Sequence, residues 1–317
     1  MSTSSFYSNG KLLITGEYLV LDGALSLAIP TIYGQSLTIR PIPQKKLIWK
    51  SLDEKGKVWF EETYDIQSLR EGSKPNKVGD EQGTGPSLAD NRVSETLRQI
   101  LRKAIEINPV FLGEDQGYEV DTALNFPKDW GLGSSSTLIN NIAQWAKIDA
   151  YALLWNSFSG SGYDIACAQN NSPITYQLKN KRPLVHPVSF YPPFKNDLYF
   201  VHLNKKQNSR EGIAHYKAKE ADTHILVPQI NSITQRILSS TKLPQFEKSI
   251  NKHEAILSEI LGIPTVKQRL FPDFKGAIKS LGAWGGDFVL ATGNRNTISY
   301  FMEKGYNTVI PYSRMAK

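Results

Sequence analysis

The chain has 317 residues, 40% hydrophobic and 21% charged, enough for about two domains that each bury a core. Its formal charge is +7, but the cations are spread along the chain and form no stripe with interleaved aromatics. That argues against nucleic acid as a partner and for an anionic small-molecule substrate. No apolar run nears the ~20 residues of a membrane span, residues 1–10 lack signal-peptide character, and the one cysteine, Cys167, excludes an internal disulfide. The expected setting is therefore a reducing cytoplasm, with no membrane partner.

In chain order, Lys11-Leu-Leu-Ile14 reads as a strand, Thr15-Gly16 as a turn, Tyr18-Leu-Val-Leu21 as a strand and Asp22-Gly23 as a second turn. Residues 36–40, 46–50 and 58–61 alternate or are rich in β-formers, so this region predicts a meander. Residues 71–91 carry many glycines and prolines and few apolar residues, the pattern of a long mobile loop. Ser94 then caps a predicted helix with Leu97, Ile100, Leu101, Ala104 and Ile105 on one face.

A strand is predicted over 118–124 and a loop over 125–129, followed by Trp130-Gly-Leu-Gly-Ser-Ser-Ser136. Helical spacing resumes at 137 and runs to about 156. Two glycines without Cβ let backbone N–H groups converge, and three hydroxyls follow at a helix start. That arrangement cradles phosphate without a cationic side chain. The competing interpretation is a Gly/Ser linker or an ordinary helix cap.

Ser159-Gly-Ser-Gly-Tyr-Asp164 leads into another helical start, where Asp164 is either a functional carboxylate or a helix cap. Residues 174–178 are strand-like, and the basic, proline-containing run 179–193 marks the expected boundary between domains 1–180 and 181–317. Beyond it the pattern predicts a strand at 198–203 and helices at 211–238 and 243–261, then a segment at 276–281. A strand at 287–292, a helix at 297–304 and a strand at 307–311 close the chain. Mixed helices and antiparallel strands indicate the α+β class.

Three glycine-containing segments occur in one order: Asn9-Gly-Lys-Leu-Leu-Ile-Thr-Gly-Glu-Tyr-Leu-Val-Leu-Asp-Gly23, Gly131-Leu-Gly-Ser-Ser-Ser136 and Lys279-Ser-Leu-Gly-Ala-Trp-Gly-Gly-Asp287. Each alone is a weak match. Together, from about residue 10 to 292, they resemble the GHMP kinase superfamily. Tyrosine at Gly16-Glu-Tyr18, the segment Gly160-Ser-Gly-Tyr-Asp164 and the ending Gly285-Gly-Asp287 are similar to its phosphomevalonate kinase branch.

The resemblance implies an α+β, two-domain GHMP kinase fold, with a ribosomal protein S5 domain 2-like N-terminal domain and a ferredoxin-like C-terminal domain. The active site would lie between them. It implies ATP and Mg2+, with transfer of the γ-phosphoryl group to phosphomevalonate in isoprenoid synthesis. Mevalonate is the nearest competing acceptor. A non-catalytic nucleotide-binding protein and a diphosphomevalonate decarboxylase are also compatible with the resemblance.

Gly131, Leu132, Gly133, Ser134, Ser135 and Ser136 would hold the triphosphate, with Ser135 touching Mg2+. Asp164 would be the catalytic aspartate and Lys11 the lysine paired with it. Glu17, Tyr18, Ser161, Gly162, Gly282, Gly285 and Gly286 would surround the acceptor, and Ser209 and Arg210 would meet a substrate phosphate, although a surface turn is the competing interpretation there. The sequence departs from the family at Asn9, Trp130 and Trp284; either indole would narrow the pocket, stack on a base or simply pack. The glutamate that binds Mg2+ in mevalonate kinases falls near Leu153, which cannot coordinate a metal. Five histidines without ligand spacing argue against a protein-held zinc site.

Overall fold

The computed structural model describes residues 2–72, 88–113 and 115–317. Its elements in chain order are β1 (Ser4–Leu13), a 3-10 turn (Leu19–Asp22), β2 (Ser26–Ile42), β3 (Lys46–Leu52), β4 (Val58–Asp65), α1 (Ile66–Glu71), α2 (Leu88–Ile107) and β5 (Gly117–Leu124). There follow α3 (Ser134–Ala146), α4 (Ala150–Ser157), α5 (Tyr163–Gln169), β6 (Ile174–Lys179), β7 (Arg182–Pro187) and β8 (Leu198–His202). The chain ends with α6 (Ser209–Lys217), α7 (Thr223–Leu238), α8 (Leu243–Leu261), α9 (Val266–Leu270), β9 (Ile278–Ser280), β10 (Phe288–Thr292), α10 (Asn296–Glu303) and β11 (Val309–Pro311).

The chain forms two compact units, each built from separated segments. The first comprises Met1–Ser8, Gly34–Pro127 and Ser134–Ile165; the second comprises Asn9–Tyr33, Lys128–Gly133 and Ala166–Lys317. The strands β1 and β2 and the helix α5 each contribute residues to both.

In the first unit β3 pairs antiparallel with β4 but parallel with β5, and β5 pairs antiparallel with the second half of β2. The predicted meander is therefore corrected: β5 stands between β2 and β3, so these consecutive strands are not neighbours, and the chain reaches β5 by a crossover that carries α1 and α2. Strict alternation in β3 sends Leu47, Trp49 and Ser51 inward. Trp49 joins Tyr64 and the predicted stripe Leu97, Ile100, Leu101, Ala104 and Ile105 of α2 in one core.

The helix begins at Leu88, so Ser94 lies inside it and is not its cap, and the expected loop stops short of residue 88. Residues 73–87 of that loop lie outside the described residues. The helical spacing expected from 137 to about 156 forms two helices, α3 and α4, separated at Lys147 with φ 55 and restarted where Asp149 accepts the Tyr151 N–H at 3.0 Å.

In the second unit the first half of β2 pairs with β6, and β6 with β7, both antiparallel. The expected connecting run thus contains a strand. A separate antiparallel sheet has the order β11-β8-β10-β9. The long helix expected at 211–238 is broken into α6 and α7, the second starting where Asp222 accepts the His224 N–H.

Helix α8 matches its expected limits. Its proline sits in the first turn, and Gly262, at φ 66, closes it by donating to the Glu259 carbonyl. The expected strand at 18–21 is the 3-10 turn. Tyr18 stands before it at φ 61 and Gly23 closes it at φ 85, which extended pairing does not permit.

Asp65 caps α1 by accepting the Ser68 N–H at 2.7 Å. Asp65→Ala should lower the unfolding free energy by about 1 kcal/mol in urea titration, with an unchanged denaturant slope.

Candidate active site

Residues of β1 approach the glycine-rich loop closely. The Lys11 N–H donates to the Leu132 carbonyl at 2.9 Å, and Lys11 Nζ donates to the Gly131 carbonyl at 2.8 Å. Gly10 makes this approach possible: a Cβ there would lie 2.6 Å from Thr31 Oγ1 and 2.9 Å from the Leu132 oxygen. Leu132 is fully buried between Gly131 at φ 67 and Gly133 at φ 92. A buried leucine thus pins the loop while the flanking glycines supply backbone turns that a side chain would resist.

The next residue, Ser134, opens α3 directly. Ser134, Ser135 and Ser136 form its first turn, where helical N–H groups lack intrahelical acceptors, and no acidic residue stands among them. The helix thus begins three residues before the expected position. Ser135 is exposed and Ser136 buried.

The third glycine segment packs on the same loop. A Cβ on Gly131 would run into the Asp287 carboxylate. Asp287 is itself held at φ 50: its N–H donates to the Lys205 carbonyl at 2.7 Å, and its Oδ1 accepts the Gln207 N–H at 3.1 Å. Lys11, Trp130, Gly131, Leu281, Gly282 and Asp287 line one small cavity, together with Leu12, Leu13 and Phe288. Gly282, at φ 62, has open space where a Cβ would stand, whereas Gly285 faces Arg269 and Gly286 faces Gln207 and the Lys205 backbone.

The departures from the resembled pattern have physical explanations. Asn9 donates to the Asn170 carbonyl at 2.6 Å and accepts from Lys317 Nζ at 2.8 Å, tethering β1 to the end of α5 and to the chain's last residue. Trp130 packs edge-on against Tyr33 and Phe288. Trp284 is 4% exposed, adopts φ 54 and donates its indole N–H to Glu254 Oε1 at 3.1 Å, so it packs. Leu153 is fully buried in the first unit's core. Cys167 is also buried.

Asp164 lies in the first turn of α5, and its Oδ1 accepts the Ile165 N–H at 3.2 Å. Ser161 is buried, and Gly162 takes φ 88 just before the helix. The carboxylate belongs to the first unit and Lys11 to the second. Ser209 and Arg210 are exposed in the first turn of α6, which Asn208 caps.

Glu17 and Tyr18, which the family resemblance puts at the acceptor, are both buried. Tyr18 OH donates to the Ala283 carbonyl at 2.8 Å, and the Tyr18 ring stacks on Tyr216 at 5.4 Å. Glu17 Oε1 meets Lys279 Nζ at 2.5 Å, and its Oε2 lies 3.3 Å from His253 Nε2. Lys279 also reaches Glu254 Oε1 at 3.1 Å.

Sequence reasoning missed His253 and Glu254. The signal was present, because both fall on the buried stripe of α8 with Phe246, Ile250, Leu257 and Leu261. The Gly16 N–H donates to His253 Nε2 at 2.9 Å, which places the neutral ring's proton on Nδ1.

Two carboxylates, one ammonium and a neutral imidazole leave one surplus negative charge, which a proton on Glu17 removes. Burial accordingly raises the Glu17 carboxyl to about 7 despite the neighbouring Lys279. Burial, aided by Lys279, pushes the His253 pKa well below its usual range.

No family model matches the chain, and no curated protein is similar to it in sequence. Solved structures are similar in fold. Mevalonate kinase from Methanococcus jannaschii superposes with a TM-score of 0.66 at 15% identity, over 98% of this chain and 97% of that one. A phosphomevalonate kinase from Streptococcus pneumoniae, in complex with phosphomevalonate and AMPPNP, gives 0.67 at 14% identity over 95% of each chain. Galactokinase from Lactococcus lactis, complexed with galactose, gives 0.66 at 14% over 100% of this chain and 93% of that one.

This geometry makes stability sensitive to one methyl group and to pH. Gly131→Ala should lower thermal stability by several degrees, as calorimetry would record, because the methyl meets the Asp287 carboxylate at an unfavourable φ. For Glu17 the folded chain takes up a proton at about 7 and the unfolded chain only near the ordinary value of 4.5. Between these values the folded state binds more protons, so this group's contribution to stability is lost as pH rises through 7. His253 acts oppositely: its folded pKa is depressed, so stability falls as pH drops below about 6.5. Glu17→Gln should therefore raise stability at pH 7.5 relative to pH 5.0 when compared with the parent, by at most about 3 kcal/mol in urea titrations.

The chain has the GHMP kinase fold over nearly its full length.

Proposed function

We propose that the chain is an ATP- and Mg2+-dependent small-molecule kinase that phosphorylates 5-phosphomevalonate. The observation carrying this reading is the convergence of Lys11 and Asp287 on Gly131, within a chain whose fold is that of known small-molecule kinases. Phosphoryl transfer needs positioning and charge neutralisation more than covalent chemistry, and a rigid glycine loop followed by the start of α3 offers both.

In the proposed reaction an acceptor oxygen bonds to the γ-phosphorus as the bond to the β–γ bridging oxygen breaks, and ADP leaves. The amides of residues 131–136 would hold the triphosphate, and the Lys11 ammonium would offset charge on the transferring group. Asp164 would orient the acceptor. It would take a proton only from a hydroxyl, since a phosphate acceptor is already ionised at neutral pH. Ser209 and Arg210, exposed at the first turn of α6, suit a substrate phosphate, for which a guanidinium fork is well shaped.

The fit of Mg2+ to this chain is narrow. Among the described residues no three acidic, histidine or cysteine side chains cluster as ligands, and Leu153, near which the expected glutamate falls, is buried in a core. Exposed Ser135 remains as a protein oxygen, consistent with an ion held mainly by phosphates and water. Bound there, Mg2+ would neutralise the phosphates.

The buried Leu153 also supports a second reading, a nucleotide-binding protein without turnover. The two separate on ADP release from purified protein with mevalonate, phosphomevalonate, galactose and homoserine. Turnover on phosphomevalonate is the expected result, and none on any acceptor would favour the second reading. Asp164→Asn and Lys11→Met should each lower kcat by at least about 100-fold while calorimetry still detects ATP binding to Asp164→Asn. A fully active Asp164→Asn would remove that carboxylate from the chemistry.

A further inference from the structure

The buried charges of the second unit have a common set of partners. Glu254, on α8, accepts from Ser280 Oγ at 2.9 Å and from the Trp284 indole at 3.1 Å, and it pairs with Lys279. Lys279 donates in turn to the Ser280 carbonyl and to Glu17. Beside Glu17, the Gly16 N–H and the Tyr18 hydroxyl reach His253 and the Ala283 carbonyl. Apart from His253 and Glu254 themselves, every partner lies on the turn 16–18 or on residues 279–284.

The second of those segments continues into a loop, 281–287, in which Gly282, Trp284, Gly285 and Asp287 all take positive φ, at 62, 54, 93 and 50. A bulky residue such as tryptophan holds φ near +54 only where its surroundings fix it. Glu254 supplies the polar anchor by which the Trp284 side chain is fixed, and the same loop carries Leu281, Gly282 and Asp287 of the cavity beside Lys11 and Gly131.

Burying such charges is a poor route to stability, since apolar replacements of similar size are often neutral or stabilising. Position is the better reason for a network whose three ionisable side chains are at most 3% exposed.

We propose that Glu254 is a positioning residue for phosphoryl transfer, holding the loop 281–287 through Trp284 and Lys279 in the shape that meets bound nucleotide; this rests on the kinase reading above. Its polar partners Ser280, Trp284 and Lys279 do not line the cavity, so it acts through them.

Trp284→Phe removes the indole N–H and keeps an aromatic ring, and Glu254→Gln removes the charge and keeps the shape. Ser249→Ala is the control: it lies on the same helix, and its hydroxyl bonds only the Gln245 carbonyl. Amide hydrogen exchange over 281–287, the Kd of a nonhydrolysable ATP analogue, and kcat and KM on the best acceptor are compared with the parent.

In Trp284→Phe and Glu254→Gln, exchange in that loop should quicken roughly tenfold, with exchange elsewhere unchanged. Nucleotide affinity should fall about fivefold or more, and kcat should fall further than the KM for acceptor rises. Ser249→Ala should match the parent in all of these.

Unchanged loop exchange in Trp284→Phe overturns the inference, as does faster exchange with unaltered nucleotide affinity and kcat. If Glu254→Gln does not fold, Trp284→Phe decides alone. A parent with no turnover on any acceptor removes the kinase reading and with it the role in transfer, while loop exchange and nucleotide affinity still decide whether Glu254 holds the loop for nucleotide.

Discussion

The close approach of β1 to the loop at 131–133 is the contact from which the rest of the candidate site is built. Two donors of one residue, the Lys11 backbone N–H and its ammonium, are satisfied by consecutive carbonyls, Leu132 and Gly131. That pair of hydrogen bonds fixes the cation relative to the loop with little freedom left to the long lysine stem, which is otherwise rich in rotamer entropy. It requires that residue 10 lack a Cβ, that Leu132 be buried and that residue 131 leave room for Asp287. Four positions from three distant segments therefore answer to one spatial requirement. This explains why the glycine segments are informative together and weak alone.

The same logic separates what the sequence revealed from what it hid. Long periodic patterns were legible: the inward face of α2 from Leu97 to Ile105 and both ends of α8, with its early proline and following glycine, emerge as expected. The order of glycine segments also disclosed the fold. Short apolar runs were not decisive. The run at 18–21 has strand-like composition, yet Tyr18 and Gly23 both take left-handed backbone and bend it into a 3-10 turn. Ser94 looked like a cap because the polar residues before it obscured six helical positions.

The buried ionic group was hidden for a different reason. Helical periodicity assigns positions to faces, but histidine and glutamate on a buried face become intelligible only when their partners are known. Those partners, Glu17 and Lys279, are more than two hundred residues from one another. Local propensity carries no information about such a pairing, and the net charge of the group could not be judged until all four members were together. The protonation of Glu17 near neutrality is a property of the assembled group, not of that glutamate's neighbours in sequence.

The route of the chain bears on how the second unit is made. Its early residues are completed by its latest ones: the Ile32 N–H donates to the Met315 carbonyl, the Lys317 N–H to the Pro30 carbonyl, and Thr31 bridges Ala316. During synthesis, residues 30–32 must wait for almost three hundred later ones before these hydrogen bonds can close. Such distant pairings slow folding and leave apolar surface open to chaperones or to self-association in the interval.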